Sequence, residues 1–168
     1  MPNSKLHPTF PLRGLAAELS VREHMHRLLP LLAIVAALSP AVSHAQDETA
    51  LFDGRGRAVA YIADDLTIFL WAGKPVAYLD RDRTGGFHIY GFNGKHLGWF
   101  VRGIARDHEG NAACAVKEVL RSTEFEPFKG FKEFEPFKSF KEFAPFRPTF
   151  SQEWSEMPCR LFLAQGAS

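Results

Sequence analysis

Beyond position 46, the side chains best suited to chemistry are three histidines (His88, His96, His108), the acidic pairs Asp64-Asp65 and Asp80 with Asp82, and the cysteines Cys114 and Cys159. Metal sites place His, Cys or carboxylate at usable spacing, as in HExxH or CxxC. Neither motif occurs and the histidines are isolated along the chain, so no metal or other cofactor is expected. There is no GxSxG nucleophile elbow. "GRG" at 54–56 and "TGG" at 84–86 read as turn glycines, since neither forms a phosphate loop opening a helix. Paired carboxylates can serve acid–base hydrolysis or hold calcium. A small hydrolase using Asp64, Asp65, Asp80 and Asp82 is therefore the catalytic alternative. Both pairs follow second strands, where Asp is ordinary turn chemistry, and the turn reading is preferred. Tyr61, Trp71, Tyr78 and Trp99 could line a carbohydrate or peptide groove, although aromatics at equivalent repeat positions more often pack a core. The expectation is a binding or envelope-associated structural module, more readily non-catalytic than an enzyme.

These residues lie in a chain that reads as exported. "MHRLLPLLAIVAALSPAVSHAQDE" has basic Arg27, an apolar run from Leu28 to Leu38, a Ser39-Pro40 turn, and small Ser43 and Ala45 before a cut. That is the layout of a secretory signal peptide, too short and Pro-broken for a membrane span. Residues 1–45 thus read as N-terminal extension and signal peptide, the signal proper covering about 25–45, with Met1 and Met25 both open as starts. The 20 basic and 19 acidic side chains of the whole chain become 16 against 17 after Ala45, so no basic field is left for nucleic acid. A periplasmic or secreted location permits one disulfide between Cys114 and Cys159; two separately buried thiols suit the spacing equally.

Four segments align on a glycine: "LFDGRGRAVAYI" from 51, "IFLWAGKPVAYL" from 68, "IYGFNGKHLGWF" from 89 and "ARDHEGNAACAV" from 105. The shared residues are Gly56, Gly73, Gly94 and Gly110, followed by small Ala60, Ala77, Gly98 and Cys114, then Tyr61, Tyr78, Trp99 and, in the last copy, Ala115. Each reads as a β-hairpin, with Asn93-Gly94 the strongest signal for a two-residue type I′ turn. One hairpin is marginal alone. The expected fold over 46–123 is all-β, four β-hairpins in a pseudo-fourfold radial arrangement, with an eight-strand meander or short open barrel as the alternative.

Residues 124–150 follow another rule. Phe125, Phe128, Phe131, Phe134, Phe137, Phe140, Phe143 and Phe146 stand at a strict spacing of three. On an α-helix such a row spirals round, and on a strand it alternates faces. Polyproline II has three residues per turn and keeps it on one edge, and Pro127, Pro136, Pro145 and Pro148 favour that conformation. A nine-residue tandem, "EPFKGFKEF" then "EPFKSFKEF", underlies the row. The segment is expected to wrap the hairpins as a strap with most rings buried, leaving Lys132 and Lys138 on a solvated edge. A sticky tract engaging an envelope protein or surface is the rival. Residues 151–168 read as a short helix or tail, with Ser151 or Ser155 as N-cap.

Together, "RAVAYI", "KPVAYLD", "IYGFNGKHLGWF" and the "PFKGFKEF" tract resemble the bacterial four-fold β-flower family over residues 51 to about 165. The resemblance implies four hairpins with pseudo-fourfold symmetry and no established activity.

Overall fold

The computed structural model describes residues 48–167, so the expected signal peptide lies outside the described residues. Eight antiparallel strands follow one another round a closed barrel. They are β1 (Thr49–Phe52), β2 (Ala58–Ile62), β3 (Thr67–Leu70), β4 (Pro75–Arg81), β5 (Phe87–Gly91), β6 (His96–Val101), β7 (Ile104–Arg106) and β8 (Ala112–Ala115). Each aligned segment supplies one consecutive pair of these strands.

The turns of the four hairpins share the same two backbone bonds. Asp53, Leu70, Gly91 and Asp107 each donate N–H to the carbonyl four residues on, at 3.0, 2.8, 2.9 and 3.1 Å. Each also accepts from the aligned glycine, three residues on. Those glycines have φ of +78° to +96°, the left-handed region a side chain disfavours. Arg55, Ala72, Asn93 and Glu109 do not share it: among the described residues only Leu66 and Arg102 are non-glycine residues at positive φ. The expected two-residue I′ turn therefore gives way to a loop one residue longer, closed by a glycine in the left-handed region. The extra residue shifts the register of every hairpin near its turn. The pair with positive φ at both positions is Arg102-Gly103, at +52° and +78°, joining β6 to β7.

Alternation along the strands separates two apolar faces. Leu51, Ala60, Ile62, Ile68, Val76, Leu79, Ile89, Leu97 and Ala113 meet in the main core. Tyr61 and Phe69 stack on the other face, ring centroids 5.5 Å apart, as do Tyr78 and Tyr90 at 6.2 Å. The main core is completed by α1 (Cys159–Ala164), whose Phe162 and Leu163 are 2% and 0% exposed. A hexapeptide helix is marginal alone; packing of this apolar edge is what holds it. Cys159 is disulfide-bonded to Cys114 of β8. The bond ties the helix to the seam where the barrel closes, which has a single register pair, Phe52 with Ala115.

Candidate binding surface

Between β8 and α1, residues 122–151 form neither helix nor strand. Their period of three divides them into three rows. One row contains Glu124, Gly130, Glu133, Ser139, Glu142 and Ser151, with proline at 127, 136, 145 and 148. All six non-proline members donate N–H to the hairpin turns. Glu124, Glu133, Glu142 and Ser151, nine residues apart, donate to Gly56, Gly73, Gly94 and Gly110 at 2.8, 2.9, 2.8 and 3.1 Å. Gly130 and Ser139, also nine apart, donate to Trp71 and Phe92 at 2.9 and 2.8 Å. Proline occupies the positions of the row where no amide is used, so its missing N–H costs no bond. The nine-residue tandem thus steps the segment from one hairpin turn to the next. The turn glycines serve this fit too: a Cβ on Gly73 or Gly94 would run into the carbonyl of Phe131 or Phe140.

A second row faces the barrel aromatics with cations. Lys129 Nζ lies 4.6 Å from the Tyr61 ring centre and 5.2 Å from Trp71, and Lys138 Nζ lies 4.4 Å from Tyr78. Lys132 and Lys141 stand 5.2 and 5.3 Å over Phe69 and Tyr90. Cation–π pairs of this kind contribute about 0.5–2 kcal/mol, depending on desolvation. Lys129 and Lys132 also converge on Glu48, each at 2.7 Å, and Lys141 on Asp80 at 2.7 Å. Burial pushes the Glu48 carboxyl up, but the two ammoniums outweigh it and hold it below the usual range. Lys132 and Lys138 are therefore not idle solvated residues, as the sequence suggested; the pairing of charge with rings from a distant part of the chain is invisible in the linear pattern.

At the fourth hairpin the partners exchange. Nine residues after Lys141 comes Phe150, and the position matching Phe69 and Tyr90 is Arg106, whose guanidinium lies 4.8 Å over the Phe150 ring. Arg106 Nη1 also donates to the Gly110 and Ser151 carbonyls, at 2.9 and 2.6 Å. Replacing Arg106 with Phe should destabilise the chain, and adding Phe150→Lys should recover part of the loss. A double-mutant cycle by thermal unfolding should give a coupling of about 0.5–2 kcal/mol. Purely additive losses would refute the exchange.

The third row is the phenylalanines, and here the structure corrects the expectation of burial. Phe125 is 94% exposed and the other seven are 99–102% exposed. With amides and cations taking the two inward rows, a period of three leaves the Phe row outside. Exposed apolar rows of this size mark interaction sites.

The other residues singled out by sequence fall as follows. Tyr61, Tyr78 and Trp99 are buried, at 1%, 6% and 1% exposure, and Trp71 is half-buried with its indole N–H donated to the Pro127 carbonyl at 3.1 Å. Asp65 Oδ1 accepts the Thr67 amide, while Asp82 Oδ1 accepts those of Thr84 and Gly86, so both stabilise turns. Beside Asp65, the Glu135 carboxyl is pushed up by its burial and by that neighbouring carboxylate. The histidines, isolated in sequence, come together across β5, β6 and the last hairpin turn. His88 Nδ1 and His96 Nε2 are 3.1 Å apart, and His96 Nδ1 and His108 Nε2 are 2.9 Å apart. Strand pairing of β5 with β6 was the available signal, since it sets His88 against Trp99 and Tyr90 against His96. Among the described residues, no group of three or more His, Cys, Asp or Glu is placed to hold a metal ion.

The model of the 4-fold beta flower protein family matches residues 49–163. The chain belongs to that family. In this beta flower the match spans β1 to the middle of α1, taking in the Phe row. No curated protein and no solved structure matches the chain.

Proposed function

We propose that this beta flower is an exported, non-catalytic module that presents its Phe row to an apolar face of another protein of the cell envelope. The hairpins form a pseudo-fourfold flower, and a polyproline-II-like strap runs past their tips. The observation that carries the reading is the exposure of all eight rings, at 94–102%, on a segment fastened by six backbone hydrogen bonds. Fastening matters because a pre-ordered edge loses little conformational freedom on binding. Export is supported by the apolar run and small-residue cut before Gln46. The inward commitment of Lys129, Lys132 and Lys141 to Glu48 and Asp80 leaves the strap little free basic charge, which favours a protein over an anionic surface.

The test is cross-linking in the native envelope with the triple variant Phe131→Ser, Phe134→Ser, Phe137→Ser. Cross-links made by the unaltered chain should be lost while the melting temperature stays within about 2 °C. Retention of the same cross-links would overturn the proposal.

A further inference from the structure

We propose that His88, His96 and His108 act as one proton-sharing unit, a three-imidazole relay joining two clefts and holding a single excess proton. The central ring, His96, is 3% exposed, while His88 is half-buried and His108 exposed. His108 and His96 line a cleft of about 640 Å³ with Glu142 and Met157. His88 lines another, of about 530 Å³, with Tyr90 and Arg147. Trp99 packs edge-on against both His96 and His108, at 4.9 and 5.7 Å between ring centres, and Tyr90 packs edge-on against His96 at 5.1 Å. The rings are thus held in place by neighbours that do not themselves bond to their nitrogens.

Proton counting gives the unit its property. The two contacts need one proton each, and a neutral imidazole has one N–H and one acceptor nitrogen. If His88 Nδ1 donates to His96 Nε2, then His96 Nδ1 donates to His108 Nε2 and the third proton sits on His108 Nδ1. One added proton fits on His88 Nε2 with both bonds intact. Its charge reaches His108 when the His88 Nδ1 proton moves to His96 Nε2 and the His96 Nδ1 proton moves to His108 Nε2. A second added proton would set two N–H groups against each other across one contact. Burial first, and then repulsion from a charge on either neighbouring ring, lowers the His96 pKa to about 4, which suits a ring that passes a proton without keeping it.

Charged groups face the unit from every side. On the strap, the Glu142 carboxylate accepts the His96 backbone N–H at 3.2 Å, and Lys141 covers Tyr90. Asp80, Asp82 and Arg147 line the cleft at His88; Lys95, Asp107, Glu109 and Glu156 line the one at His108. The Asp107 carboxylate is already committed to the amides of Glu109 and Asn111.

The test is long-range ¹H–¹⁵N imidazole spectroscopy on the exported chain from about pH 8 to pH 5, the span in which histidine changes charge. The three rings should together take up one proton, with His96 neutral throughout. In His96→Gln, His88 and His108 should take up two protons, independently. Should that variant fail to fold, His108→Ala, at an exposed turn position, should leave His88 titrating alone and change the His96 tautomer signals. Uptake of two protons by the unaltered chain, or His88 signals indifferent to His108→Ala, would overturn the proposal.

Discussion

Replacing Phe162 with alanine should cost about 3–5 kcal/mol, whereas replacing Phe134 should cost almost nothing. The residue type is the same and the surroundings are opposite. Phe162 is 2% exposed among the main core residues, so its loss removes apolar burial and leaves a cavity beneath the helix. Phe134 is 102% exposed and has no burial to lose. Thermal unfolding of the two variants checks this: a fall on the order of 10 °C is expected for Phe162→Ala and a change within error for Phe134→Ala. Comparable losses at both positions would mean that the Phe row packs inward.

The second large effect concerns the lysines of residues 122–151. Replacing Lys129, Lys132, Lys138 and Lys141 together with alanine should remove about 2–4 kcal/mol, since half-exposed cation–π pairs and screened ion pairs contribute about 0.5–1 kcal/mol each. The unaltered chain should itself lose stability at acid pH, which narrows its lead over the variant. Glu48 is held below its usual pKa in the folded state, so its stabilising contribution is present above the unfolded carboxylate pKa. That contribution disappears as pH falls through the lower folded value, and the quadruple variant should lack this part of the acid sensitivity. Melting curves of both proteins at neutral and acid pH measure it. Equal stability at neutral pH would show that the lysines are idle.

The four aligned glycines were legible in the sequence because a positive φ demands glycine, and the same residue recurs in each turn. Barrel closure was not, because β1 and β8 meet at one register pair and nothing local encodes it. The period of three divides the segment into rows, and the structure leaves outside the Phe row that was expected to be buried. Ring hydrophobicity argued for burial of Phe, but the nine-residue match of Glu124, Glu133, Glu142 and Ser151 to the turn glycines decides which edge faces the barrel. That match could have been sought: prolines at 127, 136 and 145 mark where the inward row lacks an amide, also at intervals of nine. The His88–His96 contact was accessible through the pairing of β5 with β6, whereas the contact with His108 needed tertiary structure.

Residues 122–151 meet the barrel through six amides and four lysines, with the phenylalanines left outside. Residue-resolved amide hydrogen exchange across 122–151 of the native protein tests this arrangement most directly. Protection should appear at Glu124, Gly130, Glu133, Ser139, Glu142 and Ser151, whose N–H groups are bonded to the turns. The amides of Phe125, Phe128, Phe131 and Phe134 should exchange much faster. Uniformly fast exchange along the segment, or protection that follows the Phe positions, would show that these amides are not what holds it.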